Sequence, residues 1–486
     1  MRAFICWFPT RPCRGTTAII TPAVEYETKE ANMGVTDELA RFIVESSFDG
    51  MPTQATETAK RAILDCFGVT LAGAATPEGA IMRTFVDEVG GHPKSTVIGS
   101  GTRTSPPWAA FANGTMGHAE DFDDSAYPML GHPRIPVLPA VLALGEPRRG
   151  AGRDVLEAYI VGFEVESKLG RALIPSGHYQ RGWHATGTLG TMGAAAASAK
   201  MLGLDRQQTK MALGIAASQV SGIRQNFGTM TKPFHAGHAA RSGVVAAMLA
   251  EKGFTAHDSI IEEQLGFCNV FKGDTPYNPS DITSGLGETF EIVDSGIAFK
   301  LYPSCHETHD AINSALELRR QYALRPDDMK SVDYTVSELI QTVAFYTEPT
   351  TGLQGKFSIE YCIARALHDG RVALDDFTNG KVNEPDVRQT MKKIRRHLDP
   401  SIRGLSGTEM VIKLTDGREV RYRSSEILKG FPQQPLSPEE LQAKYSNCAR
   451  LVLPAEHVER SLRLLESLDR VEDITELMEL AGTRPA

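Results

Sequence analysis

The stretch GTLGTMGAAAASAKMLG (residues 187–203) decides the fold class. Nine of its seventeen residues are Gly or Ala, and no Pro or β-branched run interrupts it. Small side chains leave little between the backbones of packed helices, so such a helix belongs inside a bundle. His238–Gly253 has the same texture. From Val35 to about Leu265 the spacing of apolar residues is helical, Ala55–Leu71 included. Thr36-Asp37-Glu38-Leu39 opens the first helix, with Thr36 read as its cap. The periodicity changes near Ala298. Ser331–Ser337 alternates as a strand. Met410–Leu414 and Glu419–Tyr422 flank Thr415-Asp416-Gly417, which reads as a β-hairpin turn. Ile359–His368 and Pro385–His397 read as helices between them. Ser437 then caps a new helix, with Pro438 at its first position and Glu440 completing a capping box.

These features predict a mostly α protein, a large all-α helical domain interrupted by a smaller α+β lid domain. The expected boundaries are an extension over 1–32, helical domain over 33–296, lid over 297–435 and helical return over 436–486. With 486 residues, more than one core is expected. The net charge of −9 argues against a nucleic-acid groove, which would need clustered Lys and Arg. It leaves room for an anionic small molecule held by a few buried cations. Seven scattered cysteines without a CxxC pair fit a reducing compartment, and a cytoplasmic location is expected. No apolar run approaches the roughly 18 residues a membrane span needs. Residues 1–24 carry Arg2, Arg11 and Arg14 and no acid. They read as an extension before Met33, or as a presequence for mitochondria.

Asp121-Phe122-Asp123-Asp124-Ser125, followed by Gly131-His132-Pro133, is the densest cluster of reactive side chains. Three readings stay open from the residues alone: a solvated loop, a Mg²⁺ site through Asp121 and Asp124, or an acid/base pair of carboxylate and imidazole. His184 sits among small residues in Gly182-Trp183-His184-Ala185. Thr231-Lys232-Pro233-Phe234-His235 begins 47 positions later. Pro233 disfavours helical geometry at Lys232 and predicts a bend ahead of the helix. His235 and His238 read as structural.

In order and spacing, these segments resemble the MmgE/PrpD family, from about Gly34 to the C-terminus. Its members include 2-methylcitrate dehydratases, cis-aconitate decarboxylases and an iminodisuccinate epimerase. The resemblance implies catalytic roles for Asp121, His132, His184 and Lys232. His132 would be an acid/base oriented by Asp121, and Lys232 a carboxylate anchor. It implies a substrate contact for Ser125, where relatives often carry Thr. Arg134 departs from the small residue usual after His-Pro and is a candidate substrate-facing cation. The segment Lys300-Leu301-Tyr302-Pro303-Ser304-Cys305-His306-Glu307-Thr308-His309 would lie where the lid closes, making Cys305 and His309 candidates; Tyr346 is another. A Cys–His protease reading has no local signature behind it. The implied activity is a cofactor-independent lyase, a dehydratase or decarboxylase of a di- or tricarboxylate. Its developing carbanion would be stabilised by Lys232 and protonated histidines without a metal. An epimerase of an acidic substrate and a catalytically silent dimeric binding protein are the alternatives. A homodimer through the helical domain is expected.

Overall fold

In the computed structural model, residues 34–483 are described apart from 403, 406 and 426. The predicted extension over 1–32 lies outside the described residues. The chain is mostly α, as its periodicity predicts. The opening stretch forms the Ala185–Leu202 helix, and Gly203 ends it in the left-handed conformation, φ 65°. Against it pack the helices Arg134–Gly145, Gly152–Leu173 and Thr231–Glu251, and Pro106–Ala119 packs on the last of these.

Small residues set how closely these helices meet. A Cβ on Gly243 would lie 2.5 Å from the carbonyl carbon of Ala194, and one on Gly114 would lie 2.8 Å from Gly237 Cα. The Pro106–Ala119 and Thr231–Glu251 helices therefore touch backbone to backbone. That contact brings the end of the first helix, with His118, beside the start of the second, with Lys232.

Residues from Ala298 to Phe431 build a second core. Its four-stranded sheet runs Ile394–Leu398, Met329–Val336, Glu409–Leu414, Glu419–Arg423. The first pairing is parallel and the other two are antiparallel. Val332, Tyr334 and Val336 alternate into the core, the period of two expected of a half-buried strand. The hairpin forms around Gly417, φ 91°. After it, Ser437 Oγ accepts from Glu440 N at 3.2 Å, and Glu440 Oε2 accepts from Ser437 N at 2.8 Å. The Pro438–Ala449 helix packs on Thr53–Ala74, where a Cβ on Gly68 would meet Tyr445 at 3.1 Å.

Three local expectations are corrected. The helix predicted over Pro385–His397 stops at Met391, and Ile394–Leu398 is a strand. Parallel pairing with Val332–Val336 outweighs local helical preference there. Thr36 caps nothing: Gly34 is the N-cap, and the Thr36 hydroxyl donates to Glu262. Lys232 lies within its helix, which starts at Thr231. Pro233 is tolerated because first-turn N–H groups have no partner inside the helix.

Candidate active site

The acidic segment leaves the Pro106–Ala119 helix through Asp121, whose φ of 49° is left-handed, a conformation Asp tolerates better than most residues. The turn sends the three carboxylates in different directions. All three are buried, which removes the solvated-loop reading.

Asp121 Oδ1 accepts from Lys232 Nζ at 3.0 Å and from Lys300 Nζ at 2.8 Å. Asp123 faces two imidazoles: Oδ2 lies 2.9 Å from His118 Nδ1 and 3.1 Å from His132 Nδ1. Asp123, not Asp121, therefore orients His132, whose Nε2 is 3.8 Å from Asp121 Oδ1. His118 Nε2 closes the circuit at 3.0 Å from Lys232 Nζ. Asp124 turns away from this group and meets Arg134 Nε at 2.6 Å.

Arg134 is thereby corrected from substrate contact to structural ion pair. It is fully buried and also holds Asp65 Oδ2 and the Ala62 carbonyl, each at 2.6 Å. Lys444 completes that network at 2.8 Å from Asp65 Oδ1. A buried guanidinium requires such partners, and these consume its donors.

A cavity of about 60 Å³ opens beside the histidines. Its wall contains Ser125, His132, His184, Lys232, Cys305 and His306. His184 Nδ1 lies 3.0 Å from His235 Nδ1, so His235 positions His184 from behind. Cys305 Sγ donates to Glu307 Oε2 at 2.7 Å. Two candidates are not in this wall. His309 is buried, with Nε2 3.1 Å from the Tyr302 carbonyl. Tyr346 spends its hydroxyl on the Phe227 carbonyl at 2.9 Å. A larger groove of about 1380 Å³ has Lys300 in its wall but no histidine.

Electrostatics assign the charges. Burial lowers the His118 pKa to about 4, against the pull of Asp123. Burial likewise depresses His132, and with Lys232 depresses His184 strongly. Burial thus favours neutral rings in the unliganded site, where lysines stand as the neighbouring cations. Burial alone would lower Lys300, but Asp121 and Asp123 outweigh it and raise it. Burial would raise Asp121, yet Lys232 and Lys300 hold it well below the usual carboxylate range. Burial and then Glu307 push the Cys305 thiol far up, so it is no thiolate nucleophile.

His118, Asp121, Asp123 and His132 offer four ligand atoms within 4.8 Å of one another. Two ammonium groups already share Asp121, however, and Asp124 is absent from the cluster, so Asp121 and Asp124 do not form the pair that the Mg²⁺ reading needs.

His118, Asp123, Lys300 and His306 were not among the residues singled out. His118 stands three residues before Asp121, and Lys300 opens the Tyr302-Pro303 segment; both signals were present but ambiguous.

Among the described residues, no helix is long and apolar enough to cross a membrane. Residues 37–280 match the MmgE/PrpD N-terminal domain and residues 302–470 the MmgE/PrpD C-terminal domain. A cis-aconitate decarboxylase of Homo sapiens is 29% identical over 92% of this chain and 94% of its own length. That of Aspergillus terreus is 29% identical over 93% and 96%. A mitochondrial 2-methylcitrate dehydratase of Yarrowia lipolytica is 24% identical over 78% and 74%. With both domain models in order along one chain and a lysine–histidine–carboxylate centre beside their junction, this protein belongs to the MmgE/PrpD family.

Proposed function

We propose that the protein is a lyase of an aconitate- or citrate-like polycarboxylate, with decarboxylation of cis-aconitate favoured over dehydration. One observation carries this reading: Lys232 and Lys300 converge on Asp121 next to the Asp123-held His132. Fixed ammonium groups suit substrate carboxylates and the negative charge that develops beside them. A neutral imidazole held at one nitrogen can pass a proton at the other. Full-length similarity to cis-aconitate decarboxylases supports this arm over the other.

The balanced reaction consumes one proton. The π pair of the alkene takes it from protonated His132 at the CH carbon, the alkene carbon that does not carry the CH₂ arm. The bond to the carboxylate of the CH₂ arm breaks, CO₂ leaves, and its electron pair forms the new terminal double bond. His132 gains its proton when the anionic substrate binds and opposes the depressing effect of Lys232 and Lys300. Lys232 anchors a carboxylate, and His184 serves as a second acid/base or carboxylate partner. Residues 297–435 act as the lid. A cavity of about 60 Å³ holds only a couple of waters, so the lid has to open for substrate. A cytoplasmic homodimer joined through the helical domain completes the proposal.

The test is an NMR screen in D₂O with cis-aconitate, 2-methylcitrate and iminodisuccinate. Loss of CO₂ from cis-aconitate is expected. Water loss from 2-methylcitrate alone would transfer the reading to dehydration. Solvent deuterium incorporation with inversion, and no elimination, would replace it with epimerisation.

A further inference from the structure

We infer that His306, positioned by Ser125, is a neutral hydrogen-bond donor for a substrate carboxylate. The inference deepens the proposed function and rests on its polycarboxylate reading. His306 is 4% exposed and lies in the cavity wall with His132, His184 and Lys232. Ser125 Oγ is 2.6 Å from His306 Nδ1. His306 Nε2 is buried and meets no hydrogen-bond partner among the described residues. Phe431 and His309 flank the ring, with centroids at 5.0 Å and 4.6 Å, and fix its plane.

The tautomer follows from the partners. Among the described residues, the Ser125 hydroxyl has one acceptor within reach, His306 Nδ1. Donation there satisfies the hydroxyl and leaves the ring proton on Nε2. That N–H then has no partner among the described residues, in a ring that lines the cavity. A buried donor without a partner is unfavourable, and an anionic oxygen relieves it better than a neutral one. Burial, then His309 and Lys300, hold the His306 pKa well below the usual range, so the ring donates as a neutral group.

Ser125 is thus a positioning residue, and not itself the carboxylate contact. Its backbone adds rigidity: Ser125 N donates to the Ala298 carbonyl and Ala298 N to the Ser125 carbonyl, each at 3.0 Å. Lys232 and His306 together give the cavity two anchors of different kind, one charged and one neutral. Two anchors select for a ligand with at least two carboxylates.

The probe is tricarballylate, a tricarboxylate without the reactive double bond, bound to the full chain and followed by calorimetry. Gln at position 306 can place an amide N–H near the position of Nε2, whereas Asn reaches only that of Nδ1. His306→Asn should weaken binding roughly tenfold or more, the scale of a lost hydrogen bond to a charged group. His306→Gln should stay within about threefold of wild type by the same reasoning. With the confirmed substrate, His306→Asn should raise KM much more than it lowers kcat. Equal binding by wild type and His306→Asn, or equal losses in the Asn and Gln variants, would overturn the assignment. ¹⁵N NMR of the wild-type ring keeps the test open if a variant does not fold: a proton on Nε2 is expected, and one on Nδ1 refutes the geometry. Failure of the parent reading looks different, because wild type itself would then neither bind tricarballylate nor convert any polycarboxylate.

Discussion

Lys300 Nζ donates to both the side chain and the main chain of Asp121, at 2.8 Å to Oδ1 and 2.8 Å to the carbonyl. The lysine comes from the start of the second core's segment, and the aspartate from the helical body, 179 residues earlier. One carboxylate thus ties the two parts together and holds two ammonium groups, of which that of Lys232 lines the cavity. Removing one partner of a buried pair typically costs about 3–5 kcal/mol, because the other charge is left uncompensated. Lys232 still neutralises Asp121 in Lys300→Met, so the lower part of that range applies. Urea unfolding should show a loss of about 3 kcal/mol, and kcat/KM should fall roughly a hundredfold or more. An unchanged urea midpoint would show that Lys300 does not link the two parts.

His132 and Asp123 are expected to behave as one unit. His132→Ala should lower kcat by roughly 10²–10⁴ with a smaller change in KM, the scale of a lost general acid or base. Asp123→Asn keeps the shape but no longer selects the tautomer of His132, and a kcat loss of similar scale is expected. The two losses should not add in the double variant. Near-normal turnover by His132→Ala would remove the proposed mechanism.

Lys232 should separate by size and shape. Lys232→Ala should raise KM as well as lower kcat, since in the proposed reading the same ammonium anchors substrate while it holds His118 and Asp121. Lys232→Arg should fail to restore activity. The planar guanidinium is wider than the point charge it replaces, and Phe227 and Phe357 rings lie only 5.5 Å and 5.3 Å from Nζ. Full activity in the Arg variant would mean that charge alone suffices there.

The helical texture of 187–203, the hairpin at Asp416-Gly417 and the capping box at Ser437 were legible because each is a local pattern. His132, His184 and Lys232 were legible as a group through the family resemblance, and the fold puts all three in one cavity wall. The division of labour inside Asp121–Asp124 was not legible. It depends on one left-handed residue, Asp121, which rotates successive side chains toward lysines, histidines and an arginine in turn. Arg134 was misread for a related reason. Its partner Asp65 lies 69 residues away, and no short pattern announces that pairing. His306 stood next to Cys305; both are buried in the cavity wall, and the unpaired Nε2 of His306 distinguishes it.

Metal removal gives a further check. The four ligand atoms of His118, Asp121, Asp123 and His132 could attract a divalent ion, but Lys232 and Lys300 already supply positive charge to Asp121. An ion entering there would have to displace or repel two ammonium groups. Activity is therefore expected to survive dialysis against EDTA. Loss with EDTA and recovery with Mg²⁺ or Zn²⁺ would make those four residues ligands and revise the roles given to His132 and Asp123.

The last prediction concerns pH and His309, which lies outside the cavity wall. Burial first, and Lys300 second, lower the His309 pKa to about 3. In the unfolded chain the same ring takes up its proton near the ordinary value of about 6.5. Between these values the unfolded state binds more protons, so His309 contributes stability that is complete above about pH 6.5 and declines as pH falls toward 3. Gln at this position can keep the donor to the Tyr302 carbonyl but cannot titrate. The slope of unfolding free energy against pH should therefore fall in His309→Gln by up to about 1.4 kcal/mol per pH unit. Other groups cancel in the comparison. Glu164, raised to about 8 by burial, stabilises the fold toward acid pH in both proteins alike. Asp121 and Asp123, held low, lose their contribution only below about pH 4 in both. Urea unfolding at pH 7, 6, 5 and 4 measures the difference directly. Parallel slopes in the two proteins would show that native His309 is protonated much as in the unfolded chain.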